Sequence, residues 1–408
     1  QQKNADDTRT DYWKMDLPHS PYLFFIGIGD YAVIKDMYKG KEISYYVEKE
    51  YAGVAKKIFG NTPEMMSFFE KITGIPYPWQ KYAQMTARDY VSGAMENTTA
   101  TLHQENAQQD SRQLLDGNAW ESTIAHELFH HWFGDYVTAK SWSNLTVNES
   151  FANFSQVLWR EYKYGKDDGD AENYKDMQQY IGSPEDAKKP LVRFHYNNRE
   201  DMFDLVSYQK GGRILNMLRN YLGNDAFYKG LNLYLTSHKF GNAEAHQLRL
   251  ALEEVSGRDL NWFFNQWYFG SGHPKLNVDY SYNDNTKTVS IRVKQTQAEN
   301  AFILPVAIDI YNGKNKTRHN VWVDQKDQTF TFPVNIKPDL VNFDGDKILL
   351  CEKTETGKSL TNYIHQYTVA GLYVDRREAI SGCASMQDST AAVDLLKTAL
   401  KDRYLELR

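Results

Sequence analysis

Five consecutive residues, His126-Glu127-Leu128-Phe129-His130, constrain this 408-residue chain more than any other stretch. On an α-helix residues four apart project from one face, so His126 and His130 can bring two imidazoles to a single point. That is half a zinc site. Catalytic zinc typically takes three protein ligands, with imidazole nitrogens at about 2.0–2.1 Å, and leaves the fourth position to water. Glu149, after eighteen intervening residues, is the natural third ligand. The flanks predict the helix. Asn118 and Glu121 have the spacing of a capping box, Ile124, Leu128, Trp132 and Phe133 form an apolar stripe, and Gly134 can end the element. Burying two His and a Glu on such a helix is costly unless a metal satisfies them.

Length and composition set the frame for that helix. A chain of 408 residues exceeds what one hydrophobic core usually serves, so two or three domains are expected. A 41% hydrophobic and 25% charged composition is that of a globular protein, and a net charge of −6 gives no electrostatic footprint for nucleic acid. No apolar run reaches the length of a transmembrane helix. The two cysteines, Cys351 and Cys383, fit neither a disulfide framework nor a metal spacing and read as buried thiols. The compartment, periplasmic, extracytoplasmic or cytoplasmic, stays open. Asn-x-Ser/Thr sequons occur at Asn97, Asn144, Asn148, Asn153 and Asn315; most crowd the proposed zinc site, where glycans would block it, so they read as chance matches.

Along the chain, residues 1–20 are polar, and Pro21 to Tyr38 alternates in a strand-like way. A strand so near the start has no earlier partner, which implies that the chain begins inside a larger domain. Spacing predicts helices over 44–59 and 63–72, an extended entry at Ile75-Pro76-Tyr77-Pro78-Trp79, and a strand over 82–91. Gly93-Ala94-Met95-Glu96-Asn97 then reads as a strand edge. Two small residues leave room for a ligand backbone, and Glu96 adds a carboxylate. A helix follows at about 148–164. Thr146 and Glu149 also have capping-box spacing, so Glu149 has a second reading as a capping residue. Residues 166–203 show no clear period apart from a possible strand at Leu191-Val192-Arg193-Phe194. Helices are predicted over 208–222, 225–237, 243–256 and 260–268. Short strands are predicted over 276–282, 288–295, 302–311, 317–324 and 328–334, and helical segments near 359–371, 375–383 and 388–405.

Taken together, Gly93-Ala94-Met95-Glu96-Asn97, the His126 to His130 pentad and Asn148-Glu149 resemble the gluzincin aminopeptidases, the family of aminopeptidase N. Pro21-Tyr22-Leu23-Phe24 through Gly29-Asp30, Ile75-Pro76-Tyr77-Pro78 with Lys81, and Ser207-Tyr208-Gln209-Lys210-Gly211 extend the resemblance over roughly residues 20–408. Three motifs in order favour ligation by Glu149 over capping. The resemblance implies a multidomain α+β fold. Residues 1–38 would be the tail of an N-terminal β saddle domain and 39–272 a thermolysin-like zinc catalytic domain. Residues 273–352 would form a small β-sandwich and 353–408 the start of an α-helical domain.

The chemistry follows in part from the residues themselves. Zinc lowers the pKa of bound water from about 15.7 toward 7, and Glu127 beside the ligand His126 can carry its proton to the leaving amine. By resemblance Tyr208 is the donor to the developing oxyanion, and Glu96 holds the free α-ammonium of the substrate, with Gly93, Ala94, Met95 and Asn97 lining its backbone. The expected function is that of a one-zinc aminopeptidase acting on peptides with a free N-terminus, with oligomeric state open. Competing readings are an endopeptidase or an epoxide hydrolase on the same zinc site, and a catalytically weak scaffold. Two departures stand out. His131 occupies a position where many relatives carry Gln, and it turns away from the metal. The family also draws a second amine contact from its saddle domain, of which this chain holds only the last strand, so weak activity is expected. The other histidines, such as His103, His246 and His273, read as structural or surface residues.

Overall fold

The structure, a computed structural model, describes residues 1–408. Its N-terminal half is built on a five-stranded mixed sheet of order β1-β2-β3-β5-β4, comprising β1 (Ala32–Tyr38), β2 (Lys41–Val47), β3 (Tyr82–Ala87), β4 (Ala94–Met95) and β5 (Ala100–Gln104). β1 and β2 form a tight antiparallel hairpin, β2, β3 and β5 run parallel, and β4 returns antiparallel along β5, pairing Ala94 with His103 and Met95 with Leu102. The expected boundary at 38/39 would cut the hairpin; the sheet begins at Ala32. Before it, Pro21–Leu23 is a single 3-10 turn, so the strand expected from Pro21 is shorter by eleven residues at its start.

The helix expected over 44–59 is corrected to strand β2 followed by one short helix, Ala55–Phe59. Ile43, Tyr45 and Val47 are fully buried at a period of two, which is the inner face of a strand. The apolar residues Tyr46, Val47, Tyr51 and Val54 fit helical spacing only because a buried strand and the following helix adjoin. Helix α1 (Thr62–Thr73) carries Pro63 in its first turn and ends at Gly74 in the left-handed region, φ 67°, as its flanks predict.

Helices α2 (Glu121–Phe129) and α3 (Thr146–Tyr164) form the centre. Phe69 of α1 packs on Phe129 of α2 at 4.7 Å, and Phe133, just past α2, stacks on Phe151 of α3 at 4.1 Å. Trp132 and Trp159 are fully buried. Helix α4 (Lys166–Ile181) occupies the stretch read as without period. Its buried face includes the polar Asn173 and Asp176, so no apolar stripe marks it; Asn153 of α3 donates to Asp176 at 2.7 Å instead. Leu191 to Phe194 is bend and coil, not strand, with Arg193 tied to Asp204 at 2.7 Å. Next come α5 (Gly211–Leu222), α6 (Asn224–His238), α7 (Ala245–Ser256) and α8 (Asn261–Trp267).

Asp176 carries a pH signature. Burial first, then the Glu172 carboxylate, push its carboxyl from 3.8 up to about 8 against the Asn153 hydrogen bond. The folded state thus holds this proton more tightly than the unfolded chain, and stability falls as pH rises from about 4 toward 8. Asp176→Asn is expected to melt close to wild type near pH 4 and to gain on the order of 2 kcal/mol near pH 8. Thermal melts across that range measure the difference; a constant offset contradicts it.

After Gly272 the chain makes two facing sheets. One, of order β10-β7-β6-β12, contains β6 (Lys275–Asn283), β7 (Thr288–Gln295), β10 (Asp327–Pro333) and β12 (Glu352–Thr356). The other, β9-β8-β11, contains β8 (Leu304–Asn312), β9 (Asn315–Val323) and β11 (Leu340–Phe343). Val278, Ile291, Val293 and Ile308 fill the space between, and this core is continuous with that of the N-terminal half. Helices α9 (Leu360–His365), α10 (Tyr373–Ala384) and α11 (Thr390–Ala399) close the chain. Arg376 of α10 pairs with Asp167 on α4 at 3.0 Å, and Lys347 with Glu378 at 2.8 Å, which ties these helices to the rest. The fold is mixed α/β and multidomain. Cys351 and Cys383 are buried free thiols. Among the sequons only Asn315 is exposed; Asn97, Asn144, Asn148 and Asn153 are buried. No helix is long and apolar enough to cross a membrane.

Candidate active site

The pentad does form a helix, with His130 as its last, capping residue. Its start differs from expectation. Trp120, not Asn118, occupies the N-cap, and Glu121 is buried, accepting from Trp159 Nε1 at 2.7 Å and Tyr164 Oη at 2.6 Å. Asn118 Oδ1 accepts from Trp120 N at 3.0 Å and so shapes the approach without capping the helix. Gly134 follows the end of the helix with φ 141°, and a Cβ there would stand 3.1 Å from His130 Nδ1.

His126 Nε2 and His130 Nε2 are 3.2 Å apart, and each lies 3.3 Å from Glu149 Oε2. The capping reading of Glu149 fails: α3 has Leu145 at its N-cap without a side-chain bond, and Thr146 Oγ1 meets Ser150 Oγ instead. A tetrahedral ion with bonds of about 2.0–2.1 Å requires donor separations of about 3.3–3.4 Å, so the three atoms have the dimensions of one face of a zinc tetrahedron.

The outer nitrogens support the same role. His126 Nδ1 donates to Gln156 Oε1 at 3.3 Å and His130 Nδ1 donates to Phe133 O at 2.9 Å, which turns both Nε2 lone pairs inward. Glu149 Oε2 and Glu127 Oε2 are buried without a hydrogen-bond donor. The buried oxygens of Glu96 and Glu127 gather with a His130 nitrogen within 4.8 Å. Burial raises both carboxyls above their usual range, Glu127 the more strongly. Burial disfavours a charge on His130, but Glu96 and Glu149 together hold its imidazole well above the usual range. A divalent cation would serve all these groups at once.

β4 is the edge of the sheet, as its small residues suggest, and Gly93, Ala94, Met95 and Glu96 line a cavity of about 710 Å³ with His126, Glu127, His130, Glu149 and Tyr208. Asn97 is turned away from it, donating to Leu23 O at 3.2 Å. Tyr208 lies in one turn of π-helix, Val206–Lys210, not at an α-helix start. Asp204 Oδ1 accepts from Val206 N and Ser207 N, each at 3.1 Å, and Ser150 Oγ donates to Ser207 O at 2.7 Å. Gly211 permits this approach, since a Cβ would fall 1.8 Å from Ser150 Oγ. The Tyr208 ring stacks parallel to His126 at 5.8 Å. Burial first, and then Glu149, Glu96 and Glu127, push its phenol well above the usual range, so it remains a donor.

Sequence reasoning missed three supporting residues. Tyr22 Oη donates to Glu96 Oε1 at 3.3 Å across 74 residues, which no local pattern reports. Gln156 lies two turns after Glu149 on α3, a spacing that places both on one face and could have marked it. His131 does turn from the donor triangle, as expected, but it joins the two motifs. Its Nδ1 donates to Glu127 O at 3.3 Å, and its Nε2 accepts from Thr99 N at 3.0 Å, just past the Glu96 segment. Burial pushes this imidazole down to about 3, so it stays neutral and can accept. His131→Leu is expected to cost about 1–3 kcal/mol, with His131→Gln recovering part because its amide oxygen can still accept. Urea denaturation compares them; equal loss in both contradicts the role.

A helix pair thus presents two imidazoles and a carboxylate at tetrahedral spacing, beside a sheet edge that carries a buried Glu. The profile described as the Peptidase family M1 domain matches residues 58–267, and the chain belongs to this family. M1 members are zinc-dependent in general. It is 33% identical over 273 residues to tricorn protease-interacting factor F2 of Thermoplasma volcanium, covering 64% of this chain and 34% of that protein. It is 28% identical over 391 residues to factor F2 of Thermoplasma acidophilum, covering 92% of this chain and 48% of the relative. Against glutamyl aminopeptidase of Bos taurus the identity is 31% over 290 residues, 68% of this chain and 30% of the relative. The chain thus spans between about a third and a half of these relatives. Its fold matches that of Legionella pneumophila aminopeptidase A, solved with aspartic acid, at a TM-score of 0.75 and 19% identity, over 92% of this chain and 45% of the other.

Proposed function

We propose that this chain carries the catalytic part of a zinc-dependent aminopeptidase. One zinc would be held by His126, His130 and Glu149. The catalytic unit would be a thermolysin-like domain running from about Ala32 to Gly272, followed by the sandwich and the first helices of a further domain. The observation that carries this reading is the second carboxylate, Glu96, buried at one end of the donor triangle and beside an open sheet edge.

When bound, zinc supplies a Lewis acid that lowers the pKa of a bound water toward neutrality and polarises the scissile carbonyl. Glu127 takes the proton from the attacking water and delivers it to the leaving amine. Tyr208 donates a hydrogen bond to the carbonyl oxygen as it gains charge. The unpaired backbone groups of Ala94 and Met95 accept the substrate as an added strand, and Glu96, fixed by Tyr22, pairs with the α-ammonium. An internal peptide segment has no such cation and would leave Glu96 buried and unpaired, which selects the first peptide bond.

The test is hydrolysis of matched amino-acid amides with free and N-acetylated amines, beside a measurement of zinc content. Only the free series is expected to react; cleavage of the blocked series overturns the reading. Tyr208→Phe is expected to lower kcat about 10²–10³-fold with little change in KM, since it removes one donor to the oxyanion. An unchanged kcat rules out that role.

A further inference from the structure

Lys210 ends the π-turn that carries Tyr208, and its side chain is fully buried with no hydrogen-bond acceptor for Nζ. Residues two apart on a helical turn do not share a face. Tyr208 points into the cavity of the donor triangle, whereas Lys210 points beneath the turn, its Nζ 5.6 Å from the centre of the Tyr180 ring on α4. The turn is tied to α3 by the hydrogen bond from Ser150 Oγ to Ser207 O. Toward α4 it rests on the Lys210 side chain.

The groups around this amine do not support a charge. Asp204 attracts it, but both oxygens of Asp204 are engaged. Oδ1 accepts from Val206 N and Ser207 N, and Oδ2 accepts from Arg193 Nη2 at 2.7 Å and from Lys189 Nζ at 3.0 Å. Lys189 is also held by Asp186 at 2.7 Å. Next to Tyr180, whose hydroxyl lies 3.4 Å from His273 Nδ1, burial holds the His273 imidazole below its usual range. Its Nε2 faces Glu352, which pairs with Lys275 at 2.8 Å. The face of the Tyr180 ring favours an ammonium. Burial and the Arg193 guanidinium outweigh it, pushing the Lys210 amine from 10.5 down to about 7.

We propose that Lys210 is a positioning residue for Tyr208: as an uncharged amine it seats the turn on α4 with the phenol at the oxyanion, and as an ammonium it withdraws from the interior, lifts the turn and displaces the phenol. The proposal rests on the aminopeptidase reading for the role of Tyr208.

The test is kcat for leucine amide between about pH 6 and pH 8 in the zinc-loaded wild type, Lys210→Met, Tyr208→Phe and the double variant. Met has nearly the length of Lys and takes no proton. The ratio of kcat in Lys210→Met to that in wild type is expected to be near one at about pH 8 and about tenfold at about pH 6, with KM alike. Titrations at the zinc site are common to both and cancel. The advantage of wild type over Tyr208→Phe is expected to shrink about tenfold over the same interval, and to stay constant in the Met background. That first comparison holds whether or not the Met variant folds. A ratio of either kind that is independent of pH overturns the proposal. Thermal melts read the amine without catalysis. The unfolded chain binds this proton more tightly than the folded one, so wild type is expected to gain stability relative to Lys210→Met as pH rises from about 7 to about 9. A constant difference overturns the proposal, whereas absence of hydrolysis at every pH defeats the aminopeptidase reading.

Discussion

Glu127→Gln is expected to keep one zinc per chain and to lower the rate of amide hydrolysis about 10²–10⁴-fold, the usual share of a positioned general base. The proposed role of Glu127 is proton transfer, apart from metal binding. Glu127 is buried at 6% exposure, its Oε2 has no donor, and its oxygen shares the pocket with Glu96 and His130 without belonging to the triangle of His126, His130 and Glu149. The amide of Gln fills the same volume and cannot take a proton. The variant therefore separates binding from chemistry: KM for leucine amide stays within about threefold while kcat collapses. A variant that lost zinc would show instead that Glu127 belongs to the metal site. One that kept full activity would remove it from the mechanism.

Glu96→Ala is expected to be nearly as severe, but only toward free amines. Glu96 is 6% exposed and held by Tyr22, so an incoming ammonium meets a desolvated, oriented carboxylate. Truncating one partner of such a charged pair typically costs about 2–5 kcal/mol, or some 30- to 5,000-fold in kcat/KM. The zinc content should not change, because Glu96 is outside the donor triangle. The discrimination between free and N-acetylated substrates should fall by the same factor. Unchanged activity with zinc fully bound would sink the assignment of Glu96.

The parts of the site legible in the sequence are those fixed by local geometry. The i, i+4 spacing of His126 and His130 becomes a shared face wherever a helix forms, and small residues at Gly93 and Ala94 mark an edge whatever its partner. Glu149 was ambiguous for a physical reason. The same spacing serves a capping box, and only the packing of α3 on α2 settles which way the carboxylate points. Tyr22 and His131 act through contacts to chain segments 74 and 32 residues away, and no periodic pattern carries such information.

The fold shows the same division. The helices expected over 225–237, 243–256 and 260–268 and the strands over 276–282 and 288–295 match α6, α7, α8, β6 and β7, each of which buries an apolar face, whereas β11 and β12 have no predicted counterpart. Strand β2 is hidden in the sequence because Tyr46, Val47 and Tyr51 imitate a helical stripe. Helix α4 was invisible because its inner face is satisfied by hydrogen bonds such as that between Asn153 and Asp176.

Zinc titration of the metal-free chain tests the central claim most directly, with bound metal and leucine amide hydrolysis read together. The account predicts that both rise to a plateau at one equivalent, and that His130→Ala and Glu149→Ala abolish tight binding and hydrolysis alike. A wild-type chain that binds no zinc, or either variant retaining one tightly bound equivalent, would contradict it.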